Sequence, residues 1–306
     1  MTRHYWPAVT VVVATVDRPG YLDHAVEQIL AQDYPGSIEC VVVYDRVPVR
    51  ELAAPLLPDR TLVHTVNSHT PGLPGGRNTG VETGHGELIA FCDDDDVWLP
   101  GKLRRQVDLL AARPDAAAAS CGIVLKGPDI DRERCLARSE VTQDDLIADR
   151  VMEVHSSTIL VRRRTWEAIG PVDEELPGGY SEDYEWLLRV AAHGPIALVP
   201  ACLVEVNWHG GSFFFGRWAV IVDAQRYLLA KHGELARSRT GLARIHGQIA
   251  FALAAGHRRG EALRELIRVV RLNPFEKRVW VTLPVVFGLL SGSRVLALAQ
   301  KRGRGV

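Results

Sequence analysis

Residues 9 to 16 read Val-Thr-Val-Val-Val-Ala-Thr-Val, a run of β-branched and small side chains with no alternation of polar and apolar positions. A strand of that kind is apolar on both faces, so it belongs inside a mostly parallel sheet with helices covering each side. The chain continues as such a fold requires. Pro19 and Gly20 open a helix in which Leu22, Ala25, Val26, Ile29 and Leu30 repeat at helical spacing along one face, and Pro35 and Gly36 end it. Further strands are predicted at Cys40 to Val43, Leu62 to Val66, Leu88 to Cys92 and Ala117 to Leu125. Strands separated by helical segments predict an α/β doubly wound sheet. After a polar stretch from Lys126 to Arg150, read as an exposed loop with a short helix, a strand is expected over Ser156 to Val161. A helix from Ser181 to about His193 and a strand from Leu198 to Val206 follow. From Trp218 the chain turns to Arg-rich helical segments broken at His232-Gly233, Gly256 and Asn273-Pro274. The expected organisation is an α/β domain over 1–217 and a basic helical appendage over 218–306.

Charge divides along the same line. Residues 226–306 hold 16 Lys and Arg against 4 Asp and Glu, a net of +12, leaving 20 basic and 33 acidic residues, a net of −13, for the first 225. The two parts therefore face different partners. The five cysteines, Cys40, Cys92, Cys121, Cys135 and Cys202, are scattered, with no Cys-x-x-Cys pair, and read as reduced core thiols. No uninterrupted apolar stretch reaches the roughly 18 residues of a spanning helix, and the first apolar run has no secretory cleavage pattern. A cytoplasmic protein is expected.

In doubly wound sheets ligands sit beyond the carboxyl ends of the strands, and here three successive ends carry acid: Asp17 after Thr15 and Val16, Asp45 after Tyr44, and the run Asp93-Asp94-Asp95-Asp96. Adjacent like charges are a poor choice for folding alone, because they repel unless a cation or donors compensate. Taken as extended backbone, Asp93 and Asp95 point the same way and can grip one hard cation together with a diphosphate.

Order and spacing then bring out a family. The segment Phe91-Cys92-Asp93-Asp94-Asp95-Asp96, followed by Pro100, resembles the Asp-x-Asp motif of family-2 inverting glycosyltransferases with the GT-A fold, a mostly parallel sheet with flanking helices. Gly72-Leu73-Pro74-Gly75-Gly76-Arg77-Asn78-Thr79-Gly80 is similar to that family's Gly-x-x-x-Ala-Arg-Asn-x-Gly, and Val12 to Arg18 resembles its first strand and nucleotide loop. Pro171 to Glu174 with Glu182-Asp183, and Asn207-Trp208-His209-Gly210-Gly211-Ser212, resemble its later elements, while His155-Ser156-Ser157 is similar to a segment on its acceptor side. The resemblance implies transfer of a sugar from a nucleotide-diphosphate sugar to a glycan, lipid-linked or small-molecule acceptor. Phe214-Phe215-Gly216-Arg217-Trp218 is similar to the Gln-x-x-Arg-Trp signature of processive synthases but lacks its Gln, so one sugar per encounter is expected. The family resemblance also implies nucleotide-sugar contacts at Thr15, Asp17, Asp45, Arg77, Asp93 and Asp94, and Mn²⁺ or Mg²⁺ on Asp93, Asp95 and His209. Asp183 is then the general base with Glu182 beside it. Helical spacing adds that Glu182 and Glu185 share the outer side of their helix, while Asp183 lies on the inward side with Leu187 and Val190.

In the tail, Ala262, Leu263, Leu266, Ile267, Val270 and Leu272 make an apolar face ringed by arginines, a pattern suited either to the surface of an anionic membrane, met from its inner side, or to a solvated helical cap whose apolar face packs on the preceding domain. No nucleic-acid partner is expected, since no known module is present. A sugar-1-phosphate nucleotidyltransferase and a non-catalytic sugar-nucleotide-binding protein are the alternatives. The first calls for a Gly-rich, Arg-containing loop directly after the first strand, which Thr15 to Gly20 does not supply.

Overall fold

The computed structural model describes residues 5–52, 57–128, 130–208, 214 and 216–300. Strand β1 (Val9–Thr15) is the expected all-buried strand, and its side chains alternate between two apolar cores. Val9, Val11 and Val13 pack with Leu22, Val26 and Ile29 of α1 (Tyr21–Leu30), while Val12 faces Val81, Ile89 and Phe91 on the other side. Helices on both faces are what make the unbroken apolar run necessary.

Beside β1 lie β2 (Ile38–Tyr44), β3 (Arg60–Val66) and β4 (Leu88–Phe91), and the order β3-β2-β1-β4 is parallel throughout. Helix α2 (Leu73–Thr83) lies so close over β1 that a Cβ on Gly80 would stand 2.2 Å from Val12, and one on Gly76 2.9 Å from Ala14. Those glycines are there so that helix and strand can touch. β5 (Val97–Trp98), α3 (Lys102–Ala112) and β6 (Ala118–Gly127) follow. The sheet continues as β9 (Leu160–Arg162), β6, β10 (Ile196–Asn207) and β5, with β9 antiparallel to both β4 and β6. The mostly parallel α/β sheet with flanking helices is thus the observed fold.

Some local expectations change. Lys126 to Arg150 is more structured than a loop with one helix, because β7 (Ile130–Arg134) pairs with β6 and β8 (Glu140–Val141) pairs with β10 before α4 (Gln143–Ala148). The expected strand over Ser156 to Val161 starts as a 3₁₀ turn, Ser156–Thr158, whose hydroxyls turn inward, and only β9 is extended. Two of the cysteines are not free thiols. Cys135, just past β7, is disulfide-bonded to Cys202 in β10, because both strands flank β6 and converge over Gly122, where a Cβ would meet both sulfurs at 2.7 and 2.8 Å. Cys40, Cys92 and Cys121 are buried and free.

Helices α5 (Arg163–Ile169) and α6 (Glu182–His193) cover the sheet, and after β10 come α7 (Trp218–Lys231), α8 (Arg239–Ala255), α9 (Arg259–Leu272), α10 (Lys277–Val286) and α11 (Gly292–Gln300). The apolar core that begins at Val12 runs through Tyr184 and Leu187 of α6 into Ile249 and Phe251 of α8, so these helices pack on the sheet.

Candidate active site

The parallel register sets Thr15 beside Tyr44 and Val12 beside Phe91, which brings the acidic ends of β1, β2 and β4 to one edge of the sheet. The aspartate run there is not extended. The Asp96 amide donates to the Asp93 carbonyl at 3.0 Å, closing a turn, so the first and fourth carboxylates converge and the middle two face elsewhere. Asp93 accepts from Arg77 Nη2 at 2.8 Å and Ser156 Oγ at 3.1 Å, while buried Asp96 accepts from Ser157 Oγ at 2.6 Å and stands 3.4 Å from His155 Nδ1. The 3₁₀ turn thereby brings His155 to the acids.

Ligand atoms of Asp93, Asp96 and His155 lie within 4.8 Å of one another. Burial, with the charge of Asp93 next, pushes the Asp96 carboxyl well above the usual range. Burial would also raise Asp93, but the Arg77 charge holds it below. A half-buried and a buried carboxylate whose charges repel, beside a ring nitrogen, form a donor set that fits a divalent cation, whose charge would offset that repulsion. Asp95, expected as a ligand, is instead held by Arg18 Nη1 at 2.7 Å, and His209 lies outside the described residues.

Around this centre sit the expected nucleotide residues. Asp94 is buried and accepts from Thr15 Oγ at 2.6 Å and from the Arg18 guanidinium. Asp17, at φ +56°, accepts from Arg50 at 2.9 Å. Asp45, also buried, accepts from Asn67 Nδ2 at 2.9 Å and the Gly72 amide at 3.1 Å, which ties the end of β2 to the start of α2. Arg77 is only 4% exposed and bridges two elements, with Nη1 donating to Glu182 at 2.7 Å and Nη2 to Asp93. Through it the aspartate turn and the Glu182-Asp183 pair become one site.

That pair opens α6 after Ser181, which holds a left-handed φ of +66°. Asp183 receives Arg150 Nη2 at 2.9 and 2.6 Å on its two oxygens. Burial would raise the Asp183 carboxyl, but Arg150 and then Arg77 keep it below the usual range, so it is ionised at neutral pH. Glu182 is different. Burial, opposed by Arg77 and reinforced by the charge of Asp183, lifts it to about 7. The outward placement expected for Glu182 and Glu185 does not hold, because Arg77 covers the first and the end of α7 covers the second. Glu185 is fully buried and takes hydrogen bonds from Arg189 of α6 and His232, with Lys231 Nζ at 2.9 Å. Burial would raise it, yet those donors win and hold it at about 2.

Sequence reasoning missed Asp96 as a partner of Asp93, and also Arg18 and Arg150. It placed His155 on the acceptor side, not at the acids. Arg150 closes a polar stretch that gave no periodic signal, so only the fold could bring it to Asp183.

A family model described as glycosyl transferase family 2 matches residues 10–169. The amylovoran biosynthesis glycosyltransferase AmsE of Erwinia amylovora is 26% identical over 210 residues, covering 65% of this chain and 75% of that one. Of two other curated relatives the chain spans only 35% and 54% of the length. Among solved structures, Staphylococcus aureus TarS 1–349 with UDP-GlcNAc superposes with a TM-score of 0.56 at 17% identity, covering 97% of this chain and 92% of that one. The mannosyltransferase PcManGT of Pyrobaculum calidifontis with GDP-Man and Mn²⁺ gives 0.54 at 17%, covering 97% and 84%. These two share the GT-A fold with this chain.

Proposed function

The chain belongs to glycosyl transferase family 2, and from that premise we propose that it moves a sugar from a nucleotide-diphosphate sugar to an acceptor hydroxyl with inversion at the anomeric carbon. The observation that carries the reading is the Arg77 bridge, which joins the aspartate turn to Glu182-Asp183. Structures of the same fold that hold UDP-GlcNAc, or GDP-Man with Mn²⁺, support a nucleotide-sugar donor. Asp93, Asp96 and His155 are the residues that would hold Mn²⁺ or Mg²⁺, whose charge would stabilise the departing diphosphate. Thr15, Asp17 and Asp45 line the nucleotide end, and Asp94 and Arg18 close it. Asp183, kept ionised by Arg150, takes the proton of the acceptor hydroxyl as its oxygen bonds to the anomeric carbon and the bond to the diphosphate breaks. One carboxylate base suffices, so no covalent sugar intermediate is needed. Residues 1–217 would carry this chemistry, with 218–306 holding α6 in place from behind. We place the reaction in the synthesis of a cell-envelope polysaccharide, glycolipid or other glycoconjugate, to which AmsE, named for amylovoran biosynthesis, lends support.

The test is a panel of UDP-, dTDP- and GDP-sugars with Mn²⁺ and simple glycoside acceptors, following nucleoside diphosphate release and the linkage formed. One donor should be consumed, with the configuration of its sugar inverted in the product. Tight donor binding with no turnover on any acceptor would make this a binding protein. Release of pyrophosphate from a nucleoside triphosphate and a sugar 1-phosphate would make it a nucleotidyltransferase.

A further inference from the structure

We propose that the outer faces of α9 and α10 dock the protein on the surface of an anionic bilayer. Both helices pack on α8 and touch each other, each burying one side. α9 buries Ala262, Leu266 and Val269, and α10 buries Val279, Val285 and Val286. The other sides are also apolar. On α9 the exposed Leu263, Ile267 and Val270 fall at i, i+4 and i+7, and on α10 Trp280 and the capping Phe287 are seven residues apart, so each helix carries an apolar stripe left uncovered by the described residues. Phe275, just before α10, is 84% exposed, Trp280 is 69% exposed, and Leu289, just after α10, is 75% exposed. Large apolar side chains left bare in this number over a short stretch mark an interaction surface.

Charge selects the occupant. Arg259, Arg264, Arg271, Lys277 and Arg294 are exposed and hold no ion pair among the described residues. The acids of the same helices are already engaged, Glu261 by Arg258, Glu265 by His246 and Arg268, and Glu276 by Arg278. The face therefore offers unneutralised cations beside aromatic and aliphatic side chains, the combination that lies in the headgroup region with its apolar groups reaching the acyl boundary. A neutral protein groove would match the apolar stripes but leave the cations unanswered. Among the described residues no helix is long and apolar enough to cross a membrane, so the contact is at the surface. This inference rests on the tail alone and holds or fails apart from the transfer chemistry.

The test is co-sedimentation of the full chain with vesicles of phosphatidylglycerol and phosphatidylcholine in equal parts, against pure phosphatidylcholine. Binding should appear on the first and be at least about tenfold weaker on the second, and it should fall with salt as screening grows. Trp280→Ser with Phe287→Ser, and separately Arg264→Glu with Lys277→Glu, should each lower the partition by about 10-fold or more. All four positions are exposed, so the fold should survive, which the circular dichroism of the variants checks. In the unmodified protein, brominated acyl chains should quench part of the tryptophan emission, and Trp280→Phe should abolish that quenching. No binding to anionic vesicles, equal binding to both kinds, or quenching unchanged by Trp280→Phe would overturn the proposal. So would a concentration-dependent dimer that Trp280→Ser dissolves, which would make this face a contact between copies.

Discussion

Replacing Glu185 by Gln tests how α7 holds the helix that carries the Glu182-Asp183 pair. Glu185 is fully buried and meets the cations Lys231 at 2.9 Å and Arg189 at 2.8 Å and the His232 ring at 3.0 Å. Its carboxyl is held at about 2, against 4.5 for the free group. At about 1.4 kcal/mol per pH unit, that depression corresponds to about 3 kcal/mol of folding stability. Breaking one partner out of a buried ion pair gives the same order, about 3 to 5 kcal/mol. The sign follows from the depressed value. The contribution is fully present above about pH 4.5 and is lost as pH falls towards 2. Urea unfolding of both proteins at neutral pH should therefore show Glu185→Gln about 3 kcal/mol less stable, with the gap closing as the buffer is taken down through that window. A difference under about 1 kcal/mol, or one that stays constant down to pH 3, would refute the ionised, paired state of Glu185.

Three further outcomes follow from the site and the sheet. Asp96→Asn should raise the Mn²⁺ requirement of turnover by at least about 100-fold, since even partners outside a metal's ligand shell are worth about 10- to 100-fold. Asp95→Asn should shift it less, and a metal titration ranking the two the other way would return Asp95 to the ligand set. Cys135→Ser should lower the denaturation midpoint under oxidising conditions by about 4 kcal/mol equivalent, the loop-closure value for a bridge across 67 residues. Added reductant should bring the unmodified protein to the same midpoint, and an unchanged midpoint would show that the bridge contributes nothing. Arg77→Met should cost about 3 to 5 kcal/mol, because it leaves the buried Glu182 and the half-buried Asp93 without their shared cation, and thermal unfolding within about 1 kcal/mol of the unmodified protein would contradict the bridge.

What the sequence revealed and concealed has physical reasons. Val9 to Thr15 was legible because a strand covered on both faces is almost wholly apolar and keeps a hydroxyl only where it finds a partner, as Thr10 does at Glu39, and the spacing of Leu22, Val26 and Ile29 was legible because α1 buries a single face. The aspartate run misled in its geometry. Alternation along a strand pairs first with third, whereas the turn at Asp93 to Asp96 pairs first with fourth, and four identical residues give no hint of which applies. Glu185 looked like a surface partner of Glu182 because helical spacing speaks only of one helix, while the cover comes from Lys231 and His232, some 46 residues on by their numbers. Cys135 and Cys202 have no spacing signal at all, since only the pairing of β6 with both β7 and β10 brings them together.

The central claim is that Asp183 takes the acceptor proton in a site shared with the aspartate turn. The most direct measurement is turnover of Asp183→Asn and Glu182→Gln at saturating donor and acceptor, with donor affinity measured alongside. Asp183→Asn should lose about 10²- to 10⁴-fold in kcat while still binding the nucleotide sugar, and Glu182→Gln should lose less. If Glu182→Gln loses more, with the donor still bound, the base is Glu182 and the account of this site is wrong.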